Sequence, residues 1–353
     1  MTGYKSSYKI IATAMLLVCM GCSEKSSEQV SEKRIDYTWE SLPAVDIDSL
    51  YAVDVDMNSI GMAAGLVMVD DNTIAVLDNR GENQVKIIDL ANDTVYEFIH
   101  RGNGPDEMAY AASLSVVDDS VWVGGTFDNK IACVARGANG YDSKVVTRLE
   151  EPFIRVLPLK DGSIITVPAT MDTVRFVHRD VVTGVSDSTF VFPVCDEHAN
   201  NALFQGELAL SPNGEHVVAL SRSWGIVEVF DSKTMSRRSI TQGPVKIDSK
   251  IEMQESPYGT RFMQTPMYIV LVGLSTGDDG FISGFVGANS DDPASMAKGI
   301  TRLIKYDYDG MPQRYYNLPE EIRSFTTTTD SKTFYGVMHD ENGGFKLVRA
   351  QLK

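Results

Sequence analysis

Leu66-Val67-Met68-Val69, a turn at Asp70-Asp71-Asn72, Thr73-Ile74-Ala75-Val76-Leu77, a polar loop, Val85-Lys86-Ile87-Ile88, a turn at Asn92-Asp93 and Thr94-Val95-Tyr96-Glu97-Phe98-Ile99 make one unit of this sequence. Its four runs are β-branched or alternate apolar with polar residues, and Asp and Asn turn chemistry separates them. Four short antiparallel strands in succession are the content of one propeller blade.

The first turn of the unit recurs at Asp118-Asp119-Ser120, Lys160-Asp161-Gly162, Pro212-Asn213-Gly214, Asp278-Asp279-Gly280 and Thr329-Asp330-Ser331-Lys332. From Asp71 to Ser331 there are 260 residues over five intervals, a mean of 52. Self-similarity at such a period reads as a propeller or array. Apolar strands flank every turn, so the expected fold is all-β: a six-bladed β-propeller of four-stranded antiparallel blades spanning residues 37–353. The last blade shows only three strands, ending on residues 345–352. The isolated alternating run Leu50-Tyr51-Ala52-Val53-Asp54-Val55 is expected to supply its fourth, closing the ring and removing exposed sheet edges.

At the amino terminus, Lys5 and Lys9 precede the apolar run Ile10 to Val18, the n-region and h-region of a secretory signal peptide over residues 1–21. The run is too short to span a bilayer, which takes about 20 residues as a helix. Cys19-Met20-Gly21-Cys22-Ser23 resembles the lipobox of bacterial lipoproteins, with small Gly21 before Cys22. The resemblance implies cleavage before Cys22, lipidation of its thiol and amino group, and a membrane as partner. Cys19 stands where leucine is usual and is the alternative acceptor. Ser23 in place of aspartate favours the outer membrane by the same resemblance. Residues 22–36 then read as a flexible tether, too polar to repay ordering.

Without residues 1–21 the chain keeps 32 − 2 = 30 Lys and Arg against 48 acids, a formal charge of −18. That excludes nucleic acid as an expected partner, because phosphate binding needs a clustered basic surface. Cys133 and Cys195 do not make a disulfide framework and read as small buried apolar residues. The histidines are dispersed, with no HxxxH spacing, so no zinc site is legible.

After the first blade comes His100-Arg101-Gly102-Asn103-Gly104-Pro105-Asp106-Glu107-Met108. This GxGPxE segment, together with the repeat plan, resembles the TolB-like six-bladed propeller lipoproteins of Bacteroidetes; the resemblance implies fold and location more than activity. Read physically, Gly102 and Gly104 supply backbone angles closed to other residues, Pro105 stiffens the turn, and Glu107 accepts from backbone amides.

In a propeller, the loops joining second to third strand, and fourth strand to the next blade, share one face around the channel. Here they carry the rim candidates Asp78, Arg80, Asp128, Asp172, Arg222, Trp224 and His339. Trp224 offers a stacking platform and Arg222 a fork for carboxylate or sulfate, so an unknown glycan, peptide or protein is the expected partner; the alternative is a solvated loop in which Trp224 covers a blade edge. Asp78, Asp128 and Asp172 hold similar places in three successive blades and are a candidate calcium set, although Asp at such positions more often bonds its own backbone. No cofactor is otherwise expected. Residues 242–266 form an insertion with Met253, Tyr258, Phe262 and Met263, read as a rim lid or partner surface or, equally, as aromatics that pack against neighbouring blades. Residues 288–298, small and polar, read as a mobile loop. There is no GxSxG, HExxH, P-loop or sialidase box. The sequence therefore points to a binding module, with a cation-dependent hydrolase or lactonase using channel carboxylates as the alternative.

Overall fold

The computed structural model describes residues 32–353 apart from Asn139, residues 170–173, 190–191 and 257–258, Cys195 and Glu197. The signal peptide, Cys19, Cys22, Asp172, Cys195 and Tyr258 lie outside the described residues.

Six antiparallel sheets, each four-stranded as a blade, form the expected six-bladed propeller. The innermost strands are Ala63–Asp70, Ala111–Val117, Phe153–Pro158, Leu208–Leu210, Tyr268–Gly277 and Ser324–Thr327. Their sequence follows from their position. Ala111–Val117 alternates buried and half-buried residues because one side packs on the blade and the other faces the channel. The second strand of blade one, Thr73–Asp78, is buried on both faces between neighbouring blades and so reads as a continuous apolar run. The outermost strand of blade two, Gly140–Arg148, is mostly exposed and polar.

Each seam between blades holds its own apolar cluster. Val85, Ile87, Val121 and Val123 join blades one and two, Phe176 and Phe230 join three and four, and Phe325, Phe334, Ile282 and Leu303 join five and six.

Closure occurs as expected. Tyr51–Ala52 pairs antiparallel with Phe345–Gln351 as the fourth strand of blade six, and the Val53 amide continues the ladder to the Leu347 carbonyl. The segment before it does more than the sequence reading allowed. Lys33–Asp36, expected within the tether, is a strand running parallel to Arg237–Gln242 on the edge of blade four. Ala44–Asp46 runs parallel to the outer strand of blade five, Pro312–Ile322. An open sheet edge supplies backbone partners whatever the side chains, so a polar segment with only Ile35 and Tyr37 buried can order itself there. Ion pairs fix its start: Glu32 to Arg237 at 2.7 Å, Arg237 to Glu228 at 2.8 Å, and Glu228 to the buried Arg175 at 3.0 Å. The Tyr37 and Tyr306 hydroxyls meet at 2.6 Å.

The insertions are ordered where described. Lys250–Ser256 and Gly259–Thr265 form a two-stranded hairpin. In residues 288–298, expected to be mobile, the buried Ser295 hydroxyl takes the Asn289 amide at 2.9 Å and donates to Asp292, closing a short 3-10 turn at Ser295–Ala297.

Candidate functional site

The inner strands enclose a cavity of about 1320 Å³ along the propeller axis. Each inner strand starts at the face that carries the second-to-third-strand loops, so the two ends of the channel have different linings. At that face, called the mouth here, stand Arg80, Arg222 and Lys298 on second-to-third-strand loops, Arg323 on the link into blade six, and Arg155 on the inner strand of blade three. Among the described residues the acid lining the mouth is Glu207. The far end has Asp118, Asp119 and Lys160, with Lys160 and Asp118 paired at 3.6 Å.

Arg155 is the innermost of these cations. Its Nε donates to the Gly206 carbonyl at 3.2 Å, and an Nη bonds the Ala112 carbonyl, so it ties the inner strand of blade two to the link entering blade four. Burial pushes its guanidinium below the usual arginine range; Glu207 opposes that shift and Arg222 adds to it, which places all three charges in one field. Glu207 Oε2 is buried without a hydrogen-bond partner, as are Asn79 Oδ1 and Thr126 Oγ1 on the same lining. Buried polar atoms cost free energy when unpaired, and in native structures they are normally satisfied. Tyr110 accepts from Asn79 Nδ2 at 3.1 Å and lies 5.7 Å, ring to ring, from Phe127, which is 78% exposed.

The residues expected at the rim divide. Arg80, Arg222 and His339 line the channel and are exposed. His339 stacks on Phe345 at 4.9 Å. Trp224 does not present a stacking face: it is 7% exposed, lies parallel to Phe204 at 5.6 Å, and donates its indole N–H to the Leu203 carbonyl at 3.1 Å. The rim loop turns it inward because that apolar cluster, which also takes Phe262 of the hairpin, offers more buried area than the channel wall. The hairpin therefore packs beside blade four, and its described residues do not line the channel.

Asp78 and Asp128 do not converge on the channel. Asp78 is fully buried and accepts the amides of Gly61, Met62, Arg80 and Gly81 at 2.9 to 3.1 Å. Asp128 accepts the Ala109 amide at 3.0 Å and sits 3.7 Å from Lys130. Each carboxylate ties the loop after its second strand to the link entering the same blade's inner strand, the backbone role that Asp favours. Among the described residues no three His, Cys, Asp or Glu are grouped to hold a metal ion; Asp172 lies outside them.

The GxGPxE segment is a structural clasp. Glu107 accepts the Gly104 amide at 2.8 Å, and Lys130 Nζ bonds the Glu107 carbonyl at 2.6 Å. The glycines are needed for space rather than for backbone angle. Neither has a positive φ, and a Cβ on Gly102 would collide with the Glu107 carboxylate.

No protein-family model matches the sequence, and the curated proteins contain no match. Solved structures share the fold. A Bacteroides fragilis protein designated as exported superposes with a TM-score of 0.52 at 11% identity, over 91% of this chain and 100% of its own. A member of the DUF4221 family from Bacteroides vulgatus gives 0.52 at 10% identity, over 87% of this chain and 97% of its own. At these identities the likeness concerns the fold alone. The calcium-binding protein regucalcin from Agrobacterium tumefaciens aligns more loosely, at 0.48 with 11% identity over 88% of this chain and 96% of its own, and carries no argument about calcium.

Proposed function

We propose that this protein is an exported, lipid-anchored propeller that binds a ligand in the mouth of its channel. The observation that carries the reading is the set of buried, unpartnered polar atoms on the mouth lining, Glu207 Oε2, Asn79 Oδ1 and Thr126 Oγ1. Unpaired polar groups beside a cavity leave hydrogen bonds for a bound molecule to complete. The volume exceeds the usual range of about 300–1,000 Å³ for small-molecule sites, so the ligand can be larger than a single ring.

Anchoring rests on the lipobox-like segment ending at Cys22 and on the TolB-like resemblance of the repeat plan; the export designation of the Bacteroides fragilis neighbour is consistent with it. The N-terminal strand adds an orientation. Lys33–Asp36 runs parallel to the last strand of blade four, which starts at the face opposite the mouth, so the chain enters the propeller at Glu32 on that opposite face. A cation-dependent hydrolase would need channel carboxylates, and Asp78 and Asp128 are already engaged by backbone amides.

The test is a glycan and peptide array probed with the full-length chain and with Ala64→Trp, which narrows the channel from an exposed wall position. The reading expects hits that the substitution weakens. Hits indifferent to the substitution, or none, would overturn it.

A further inference from the structure

We infer that the ligand taken by the mouth carries an oxyanion, a carboxylate or a sulfate, clasped by Arg155, Arg222 and Arg80. The inference rests on the binding reading above and adds the charge of what is bound.

This is an acidic chain, with 48 Asp and Glu against 32 Lys and Arg. Several cations elsewhere on it pair with carboxylates, among them Arg136 with Asp70 at 3.1 Å, Arg179 with Glu151 at 2.6 Å and Lys305 with Asp279 at 2.7 Å. Five cations gather at the mouth, and among the described residues Arg80, Arg155, Arg222, Lys298 and Arg323 have no carboxylate within ion-pair distance. Two of the five are held by carbonyls only, Arg155 by Gly206 and Ala112 and Arg323 by Ala297 at 3.1 Å.

Clustered like charges repel, and a folded chain with acids to spare normally intersperses them. In a concave wall of low dielectric the summed field is focused on the cavity, where it draws anions in and raises their local concentration. The guanidinium plane is matched to carboxylate and sulfate, which it binds through two parallel hydrogen bonds. Arg80 and Arg222 can bind in this way, and Arg155 adds one fixed donor: the Gly206, Ala112 and Ile154 carbonyls take its Nε and one Nη and hold its plane, which leaves the other Nη to donate with little side-chain entropy to lose. Glu207 sets selectivity within the same field. Its unpartnered oxygen accepts from a hydroxyl or ammonium of the ligand and repels a second acid placed beside it. Tyr110 and Phe127 give the rim an apolar face for the uncharged part of the molecule.

The experiment is isothermal titration of the full-length chain in detergent, at low salt, where exposed charges are least screened. The probes are unsulfated chondroitin disaccharide, which carries a carboxylate alone; its 4-sulfated form, which carries both acids; and neutral N-acetyllactosamine. The expected result is saturable binding of the acidic probes, weakened about tenfold or more in Arg80→Glu/Arg222→Glu, as loss of a charge-assisted bond implies. Lys160→Glu at the far end leaves it unchanged. Preference between the two acidic probes assigns the oxyanion as carboxylate or sulfate. A neutral probe bound as tightly as the acids, acidic binding indifferent to the mouth reversals, or no saturable binding of either acid would overturn the inference. Array hits weakened in Ala64→Trp would, in each of those cases, leave the binding reading itself standing.

Discussion

Replacing Asp78 by alanine separates a structural carboxylate from a metal ligand. The side chain is fully buried and holds four backbone amides, two on the link entering blade one and two on the loop after its second strand. Hydrogen bonds to a charged acceptor contribute about 1.5–3 kcal/mol each. The four will not sum, because Gly61, Met62 and Arg80 are exposed and water can reach their amides once the carboxylate is gone. We expect the loss of about two full bonds, ~3 kcal/mol, and roughly half of that for Asp78→Asn, which keeps one acceptor oxygen. Urea unfolding read by tryptophan fluorescence measures the difference, and EDTA added to the wild type supplies the control. The reasoning is refuted by a change below about 1 kcal/mol, or by chelator alone reproducing the loss.

Other outcomes follow from the same geometry. Trp224→Ala should cost about 3–5 kcal/mol in urea unfolding through the cavity left against Phe204 and Leu203, as for large core aromatics; a mild loss would mean that the ring is a surface platform after all. Gly102→Ala should destabilise by about 1–3 kcal/mol through overpacking on Glu107, and adding Glu107→Ala should cost less than the separate losses summed, which a double-mutant cycle reads directly. Alkaline pH should weaken the ring through Tyr306, whose hydroxyl is pushed up to about 12 by burial, with Tyr37 raised by burial and by Tyr306. Both stay protonated in the fold while the unfolded chain ionises near pH 10, so their stabilisation is complete below about 10 and is lost as pH rises toward 12. A shift of two units is worth about 2.7 kcal/mol at most, and Tyr306→Phe should flatten that fall in a pH series of Tm.

The ring was legible because its punctuation is chemical. Asp and Asn at the turns after each inner strand, continuous apolar second strands such as Thr73–Asp78, and an unpaired run at Leu50 to Val55 leave few other closed arrangements. The N-terminal strand Lys33–Asp36 was hidden because its order comes from a partner edge rather than from its own apolar content. The site was legible only in part. Loop position identified Arg80 and Arg222, but residue type does not report which way a loop side chain turns, so Trp224 and Asp78 were drawn to the rim when packing and backbone amides hold them inside. Arg155 was missed because Phe153–Pro158 reads as a core strand; the signal was the lone charge in an otherwise apolar run. Glu207 sits on a blade link, where one carboxylate in an acidic chain does not stand out.

The most direct test of the central claim is a crystal of the propeller soaked in selenate, a sulfate analogue located by its anomalous scattering. The account predicts a selenate in the channel mouth against Arg155 and Arg222, displaced in Arg222→Glu. Anomalous peaks confined to the outer surface, with the mouth empty at saturating selenate, would contradict it.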